Sequence, residues 1–396
     1  MRRVIIIHRW EGGSHDDWRP WLKSELEKIG YEVLVPDMPD TNTPVIEKWV
    51  SKIKEVVGEP DGDTYFIGHS IGCQAILRYL QTVDTPVGGA VFVAGWFNLS
   101  NLESDEVKEI AKPWIEMPMD IDKLRTILHR STLLISDNDP YGYFEENKQK
   151  FGMLKSEMKI IHNGGHLTAE DGYSEFPQII SELKNIVIKQ YFQITTDRMF
   201  TALESFHLWK KMNMLMNINE VGPEVAQKNV DIFRKHWDFF HPVMAGAYKM
   251  FIIDLSIFFD AEKYEDTFSL HKLVESIKES ISESEYKDLL QKIKDIKKKH
   301  GPAINLLLTL RNSDVAHQKM EKKKRLIIYK EIEDLFIGVQ EILNLLSKYF
   351  NGAYTMWDHV GKNVEHGTEW VMENLERGEK DRLKEIEEKY KVDLGA

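Results

Sequence analysis

The sequence predicts a three-layer α/β sandwich built on a parallel sheet over residues 1–192, followed by an all-helical bundle over residues 193–396. Three observations carry that expectation. Short β-rich runs alternate with helix-like stretches up to about residue 190, and such alternation implies a parallel sheet covered on both faces. Beyond that point the β-runs vanish while helical periodicity continues to the C-terminus. At 396 residues the chain is also long enough for two domains that each bury a core.

The strand candidates are RRVIIIH, YEVLVP, TYFIG, GAVFVAG, STLLIS and MKIIH, each ending in Gly, Pro, Ser or His. Between them lie the helix candidates WRPWLKSELEKIG, VIEKWVSKIKEVV, CQAILRYLQTV and FPQIISELKNIVIKQYF. The pattern changes near Gln193-Ile194-Thr195. Further helical stretches follow: NVDIFRKHWDFFHPVMAGAYKMFIIDLSIFF, KLVESIKES, EYKDLLQKIKDIKKKH, LIIYKEIEDLFIGVQEILNLLSKYF and a charged last helix. Gly301-Pro302 punctuates the middle of this half. No internal repeat and no low-complexity linker separates the halves.

A hydrophobic content of 42% and a charged content of 29% are those of a soluble globular protein. The net charge of −12 argues against a broad basic field for duplex nucleic acid, while leaving room for a local basic patch. One cysteine, Cys73, forbids an intrachain disulfide and fits a reducing compartment. The apolar run near the N-terminus is too short for a signal-peptide core, and no stretch approaches the ~20 apolar residues of a membrane span. A cytoplasmic protein without a membrane partner is expected.

The pentapeptide Gly68-His69-Ser70-Ile71-Gly72 sits between the apolar run Thr64–Ile67 and the amphipathic stretch CQAILRYLQ. Strand, G-x-S-x-G, helix is the local order that exposes a serine on a sharp turn above a sheet. The flanking glycines permit close approach of strand and helix, and the helix N-terminus aims N–H groups at a developing oxyanion. Downstream, Asp139 falls just past the strand in LLISDNDPY and His166 just past the strand in MKIIHNGGH. Ser, then acid, then His is the chain order of the α/β-hydrolases. Ser70 is therefore the candidate nucleophile, His166 the general base and acid, and Asp139 the orienting group. Asp137 competes for the acid role. Asp139, immediately before the turn-setting Pro140, better matches the position after this strand.

The oxyanion hole is expected to combine the backbone N–H of Ile71 with that of Trp10, from the loop HRWEGG after the first strand. Packing beside the site accounts for His8 and the Trp10 side chain, and Cys73 reads as a small buried hydrophobe. His69 is an elbow spacer with a satisfied ring nitrogen, and His162 ends a strand on the surface. No His/Asp/Glu cluster here has metal-ligand spacing, so neither a metal nor a cofactor is expected.

These residues resemble the small serine hydrolases of the YdeN and retinoblastoma-binding-protein-nine type. The resemblance covers the first ~190 residues, and its matching stretches are HRWEGGSHDDWRPWLKSELEKIGYEVLVPDMPD, GHSIGCQAILRYL, SDNDPY and GGH. The DDWRPWLKSELEKIG block and PDMPD are more specific than the triad itself. The resemblance implies a minimal α/β-hydrolase without a large lid, acting on small esters or amides, with nucleophile Ser70, acid Asp139 and base His166. One departure stands out. Where many relatives have His-Gly, this chain has His8-Arg9, and a β-carbon there narrows the oxyanion loop.

In the helical half, NLLLTLRNSDVAHQK sets Arg311 and Asn312 ahead of His317. An offset of six puts Arg311 and His317 on different faces of one continuous helix, so they converge only if the chain breaks, and Ser313-Asp314 favours caps and turns. A cation and an imidazole beside one phosphodiester suffice to cleave RNA without metal. The pattern resembles the R-x(4–6)-H motif of HEPN domains, which are helical, usually dimeric, and either cleave RNA or only bind. Lysines in QKIKDIKKKH and KMEKKKR would hold a phosphate backbone, or equally form solvated helix ends. The aromatic stripe in HWDFFHPVMAGAYKMFIIDLSIFF reads as bundle core, and His236 and His241, five apart, do not share a helical face. The expected protein is a serine esterase or amidase that dimerises through its helical half. The alternatives are a defence or toxin protein whose helical half cuts RNA, and an idle α/β scaffold, against which the complete triad argues.

Overall fold

The structure is a computed structural model that describes residues 2–260, 269–278, 281–315, 327–350, 355 and 357–391. It divides into two compact units, Met1–Gln190 and Tyr191–Ala396.

In the first unit the elements run β1 (Arg3–Ile7), α1 (Arg19–Lys28), β2 (Glu32–Leu34), α2 (Ile46–Val57), β3 (Thr64–His69), α3 (Ile71–Leu80), β4 (Gly89–Val93), α4 (Asp105–Glu116), α5 (Ile121–Ile127), β5 (Ser131–Ser136), α6 (Phe144–Met153) and β6 (Glu157–Ile161). The six strands form one sheet in the order β2-β1-β3-β4-β5-β6, and every pairing is parallel. This is an α/β-hydrolase type of sheet. Its four central strands, β1, β3, β4 and β5, read as mostly apolar runs because both their faces are buried. Ile5, Ile7, Phe66, Phe92, Leu133 and Ile135 join one core with Trp49 of α2, Trp114 of α4 and Leu124 of α5. The alternate residues Val4, Ile6, Ile67, Val91 and Leu134 are equally buried and, with a strand period of two, face the other side. That face meets the start of α7 (Pro177–Leu215), whose Ile186 reaches Gly89 and whose Gln190 accepts from the Tyr65 hydroxyl.

Strand order decides where chemistry can collect. The chain crosses from β1 outward to β2, then returns over β1 to β3. The carboxyl ends of β1 and β3 thus flank the point where the direction of winding reverses, the usual crevice of an open parallel sheet. The loop carrying Trp10 leaves β1 there, and Ser70 follows β3. Helix α3 between them is buried along all ten residues, so it is a central helix with no solvent face. Its Arg78 stays inside because it donates to the Trp114 and Met117 carbonyls at the C-terminus of α4.

Three helices of this unit, α4, α5 and α6, have no counterpart among the expected segments. The first two begin on side-chain caps, Ser104 and Asp120, each accepting a backbone N–H three residues on. The stretch expected from the sequence at residues 176–192 continues as one helix to Leu215, and Gln193-Ile194-Thr195 lies inside it. The division between the units falls within α7.

The second unit comprises the rest of α7, then α8 (Ile218–Val221), α9 (Pro223–Lys235), α10 (Trp237–Ile257), α11 (Leu270–Ser276), α12 (Glu283–Lys299), α13 (Gly301–Leu310), α14 (Tyr329–Phe350) and α15 (Asp358–Tyr390). All its described regular elements are helical. Phe206 packs against Phe251 and Phe336 at its centre. The long aromatic stretch after Asn229 is two helices broken at His236. Ser282 and Glu285 close a capping box at the start of α12. A single π-turn, Arg311–Val315, continues α13. Among the described residues no helix is long and apolar enough to cross a membrane.

Candidate active site

Ser70 sits between β3 and α3 at φ 55° and ψ −119°, a conformation that costs a non-glycine residue about 1–3 kcal/mol. The tight turn requires its glycines. A Cβ on Gly72 would lie 2.4 Å from the Ile7 carbonyl oxygen, and one on Gly68 would lie 2.8 Å from the Cys73 nitrogen. The Ser70 N–H donates to the Val93 carbonyl and the Ser70 carbonyl accepts from Cys73 N–H, which locks the turn. Among the described residues the one hydrogen bond to Ser70 Oγ comes from the Trp96 indole N–H at 3.3 Å.

His166 lies in the loop after β6. Its Nδ1–H donates to Asp139 Oδ2 at 2.8 Å, which leaves Nε2 as the basic nitrogen. The other oxygen of Asp139 accepts from Tyr141 N–H, and the Tyr141 ring stands edge-on to the imidazole, 5.1 Å between centroids. Asp137 is elsewhere. It meets His162 Nδ1 at 2.6 Å and the Asn163 N–H on the surface, and those bonds hold its carboxyl below the usual carboxylate range. The loops after β5 and β6 are stitched together: Ser136 Oγ accepts from Gly164 N–H, and Asn138 Oδ1 from Gly165 N–H. Asp171 Oδ2 accepts from the N–H groups of His166 and Thr168.

Ser70 and His166 line one cavity of about 250 Å³ together with Arg9, Trp10, Trp96 and Tyr141. Leu99, Leu102 and Val107 make its apolar end, and Glu11 and Glu103 its rim. No hydrogen bond joins Ser70 Oγ to His166 in this structure, and bonds of this kind commonly tighten only in the complex with substrate. The N–H of Ile71 is the first of α3 and has no intrahelical acceptor. Trp10 N–H likewise donates to no described acceptor, while its indole N–H is taken by the Asn42 carbonyl. The Arg9 side chain turns away to Asp17 and to the Trp10 carbonyl.

His8 and His69 are both buried and neutral. His8 Nε2 accepts from Met38 N–H and its Nδ1–H donates to the Arg9 carbonyl, and burial lowers its pKa. His69 faces the Arg19 guanidinium through Nδ1 and donates from Nε2 to the His166 carbonyl at 3.0 Å. Burial first, then the neighbouring His166 and Arg19, pushes its pKa well below the ordinary value. Cys73 is buried, its thiol donating weakly to the Val93 carbonyl, and burial raises its pKa.

Trp96, Tyr141 and Arg9 were not singled out by the sequence as lining residues. The available signal was position alone, since each follows the carboxyl end of a strand. In the second unit, Arg311 Nη1 donates to Asp260 Oδ1 at 2.7 Å and to Ser256 Oγ, Asn312 is exposed, and His317 lies outside the described residues. The chain does not break at Ser313-Asp314; it widens into the π-turn instead. Among the described residues, no group of three or more His, Cys, Asp or Glu side chains is arranged to hold a metal ion.

Residues 4–185 match the sequence model of the family described as serine hydrolase. Over 191 residues the chain is 24% identical to the hydrolase YdeN of Bacillus subtilis (strain 168), spanning 48% of this chain and 98% of that protein. It is also 24% identical over 188 residues to the serine hydrolase RBBP9 of Rattus norvegicus, spanning 47% and 95%. Among solved structures, the crystal structure of the ydeN gene product from B. subtilis covers 47% of this chain and 98% of its own, with 24% identity and a TM-score of 0.44. Est1E from Butyrivibrio proteoclasticus covers 46% and 84%, with 17% identity and a TM-score of 0.36. The N-terminal half thus resembles known serine hydrolases.

Proposed function

We propose that the first unit hydrolyses small esters or amides, with Ser70 as nucleophile, His166 as base and then acid, and Asp139 as the group that orients the imidazole. The reading rests above all on the 2.8 Å contact of Asp139 with His166 at the wall of the cavity onto which Ser70 opens. On substrate binding Ser70 Oγ turns from Trp96 to His166 Nε2 and passes its proton there as it attacks the acyl carbon. The oxyanion is met by the N–H groups of Ile71 and Trp10. Collapse expels the alcohol or amine, protonated by His166, and a water activated by the same nitrogen releases the acid and restores Ser70. A cavity of about 250 Å³ lies below the ~300–1,000 Å³ typical of pockets for drug-sized ligands, which favours short acyl groups at the Leu99, Leu102 and Val107 end.

A fluorophosphonate probe tests this directly. Wild-type protein should be modified at Ser70 alone, and Ser70→Ala should stay folded and unlabelled. Labelling that persists in the variant would falsify the nucleophile.

The helical unit is read as an interaction module that pairs two copies of the chain. Its exposed Trp237, Phe239 and Trp370 are aromatic side chains that such pairing would cover. The alternative of metal-independent RNA cleavage has no described observation in its favour, because the Arg311 guanidinium is already engaged by Asp260.

A further inference from the structure

Asp17, Trp18 and Arg19 belong to the DDWRPWL block that distinguishes this sequence more sharply than its triad does, and the proposed reaction gives none of them a part. All three are buried at the side-chain level, Arg19 completely and Asp17 to 3% exposure. Their polar atoms reach three separate segments. Asp17 Oδ2 accepts from Arg9 Nε at 3.0 Å and from Arg19 Nη2 at 2.9 Å, and its Oδ1 accepts from Ala169 N–H at 3.0 Å. The Trp18 indole N–H donates to the Leu167 carbonyl at 3.2 Å. Arg19 Nη1 lies 3.3 Å from His69 Nδ1, and the far side of that ring holds the His166 carbonyl.

Apart from the Asp17–Arg19 pair itself, each of these bonds ends on a segment that carries a residue of the proposed chemistry. Arg9 precedes Trp10 and also grips the Trp10 carbonyl. His69 precedes Ser70. His166, Leu167 and Ala169 are one loop. A buried ion pair gains little net stability over a well-packed apolar pair, so stability alone does not explain Asp17 and Arg19. What such a pair does supply is fixed direction at each hydrogen bond.

We propose that Asp17-Trp18-Arg19 is the positioning element of this site, with Asp17 as the hub that holds the Trp10 loop, the serine elbow and the His166 loop in one register. The inference rests on the reading of Ser70 and His166 given above. None of the three residues touches the reacting atoms, so each acts through another group. Loss of the hub leaves Arg9 without its carboxylate and Arg19 with only the longer 3.9 Å contact to Asp16, and it loosens the Ala169 end of the histidine loop. Misplacement of a catalytic group by about 1 Å can cost about 100-fold in rate.

The test is Asp17→Asn in the full-length protein, a change that keeps the size of the side chain but replaces the carboxylate by a neutral amide, a weaker acceptor for the Ala169 N–H. With p-nitrophenyl acetate, kcat should fall about 10- to 100-fold while KM changes by less than about threefold. The rate of fluorophosphonate labelling at Ser70 should fall in step. Amide hydrogen exchange at Ala169 should speed up, a readout that needs no activity. Wild-type kcat together with wild-type protection at Ala169 overturns the inference. Absence of Ser70 labelling in the wild type would instead remove the reaction, and exchange at Ala169 then decides the clamp by itself. If Asp17→Asn fails to fold, Arg9→Gln, on a half-buried side chain, removes one spoke, and an unchanged kcat there overturns the hub.

Discussion

Which nitrogen of His166 carries the proton is settled by the partner of Nδ1, and that partner is Asp139. Asp139→Asn would let the imidazole adopt the wrong tautomer and should lower ester hydrolysis about 10⁴-fold. Asp137→Asn should leave the rate near wild type, since Asp137 holds only His162 and the Asn163 amide; steady-state kinetics on a p-nitrophenyl ester checks both. Neutral histidines carry a pH signature of their own. Burial lowers the pKa of both His8 and His69 from the ordinary 6.5. Unfolded imidazoles take up protons below that value and the native ones do not, so their contribution to stability is intact above pH 6.5 and is lost as pH falls through the lowered values. The first unit should therefore melt at a lower temperature at about pH 5 than at about pH 7, and His8→Gln should flatten that dependence. The sequence favoured Asp139 over Asp137 because Pro140 marks a turn directly after it. The partners of His69 were not legible there, because Arg19 is fifty residues away and meets it only in the folded chain.

At the scale of elements, the elbow is the tightest junction. Gly72 packs its α-carbon against the end of β1, so Gly72→Ala must push α3 off the sheet. Overpacking of this kind typically costs about 1–3 kcal/mol, and backbone oxygens cannot step aside as a side chain would. A fall in the urea midpoint with an unchanged slope is the expected outcome. Periodicity located all six strands, four of them (β1, β3, β4 and β5) as the mostly apolar runs that burial on both faces produces. It overlooked α4, α5 and α6, although the starts of α4 and α5 are marked by the caps Ser104 and Asp120. It also joined α9 to α10 across His236, since an apolar stripe continues through a break that only backbone geometry reveals.

For the whole molecule, the two units differ in what a sequence can say about them. The first carries motifs whose order along the chain already implies a reaction. The second carries periodicity and one short pattern, of which Arg311 is engaged by Asp260 and Asn312 is exposed. Pairing of two chains through the helical unit should appear in light scattering as a particle of twice the chain mass. Trp370→Lys, on an exposed aromatic, should shift it toward the monomer if that face is the contact, and a monomer in the wild type removes the proposed pairing.

By itself the sequence determined the class of sheet, the turn that carries Ser70 and the chain order of Ser70, Asp139 and His166, because each is written in local spacing of apolar residues, glycines and turn formers. Only the tertiary structure decided how these groups are held. The Trp96 bond to Ser70 and the reach of Asp17 to Ala169 join residues far apart in the chain. Such contacts depend on how the β1, β3 and β6 loops converge at one end of the sheet, and no local pattern encodes that convergence.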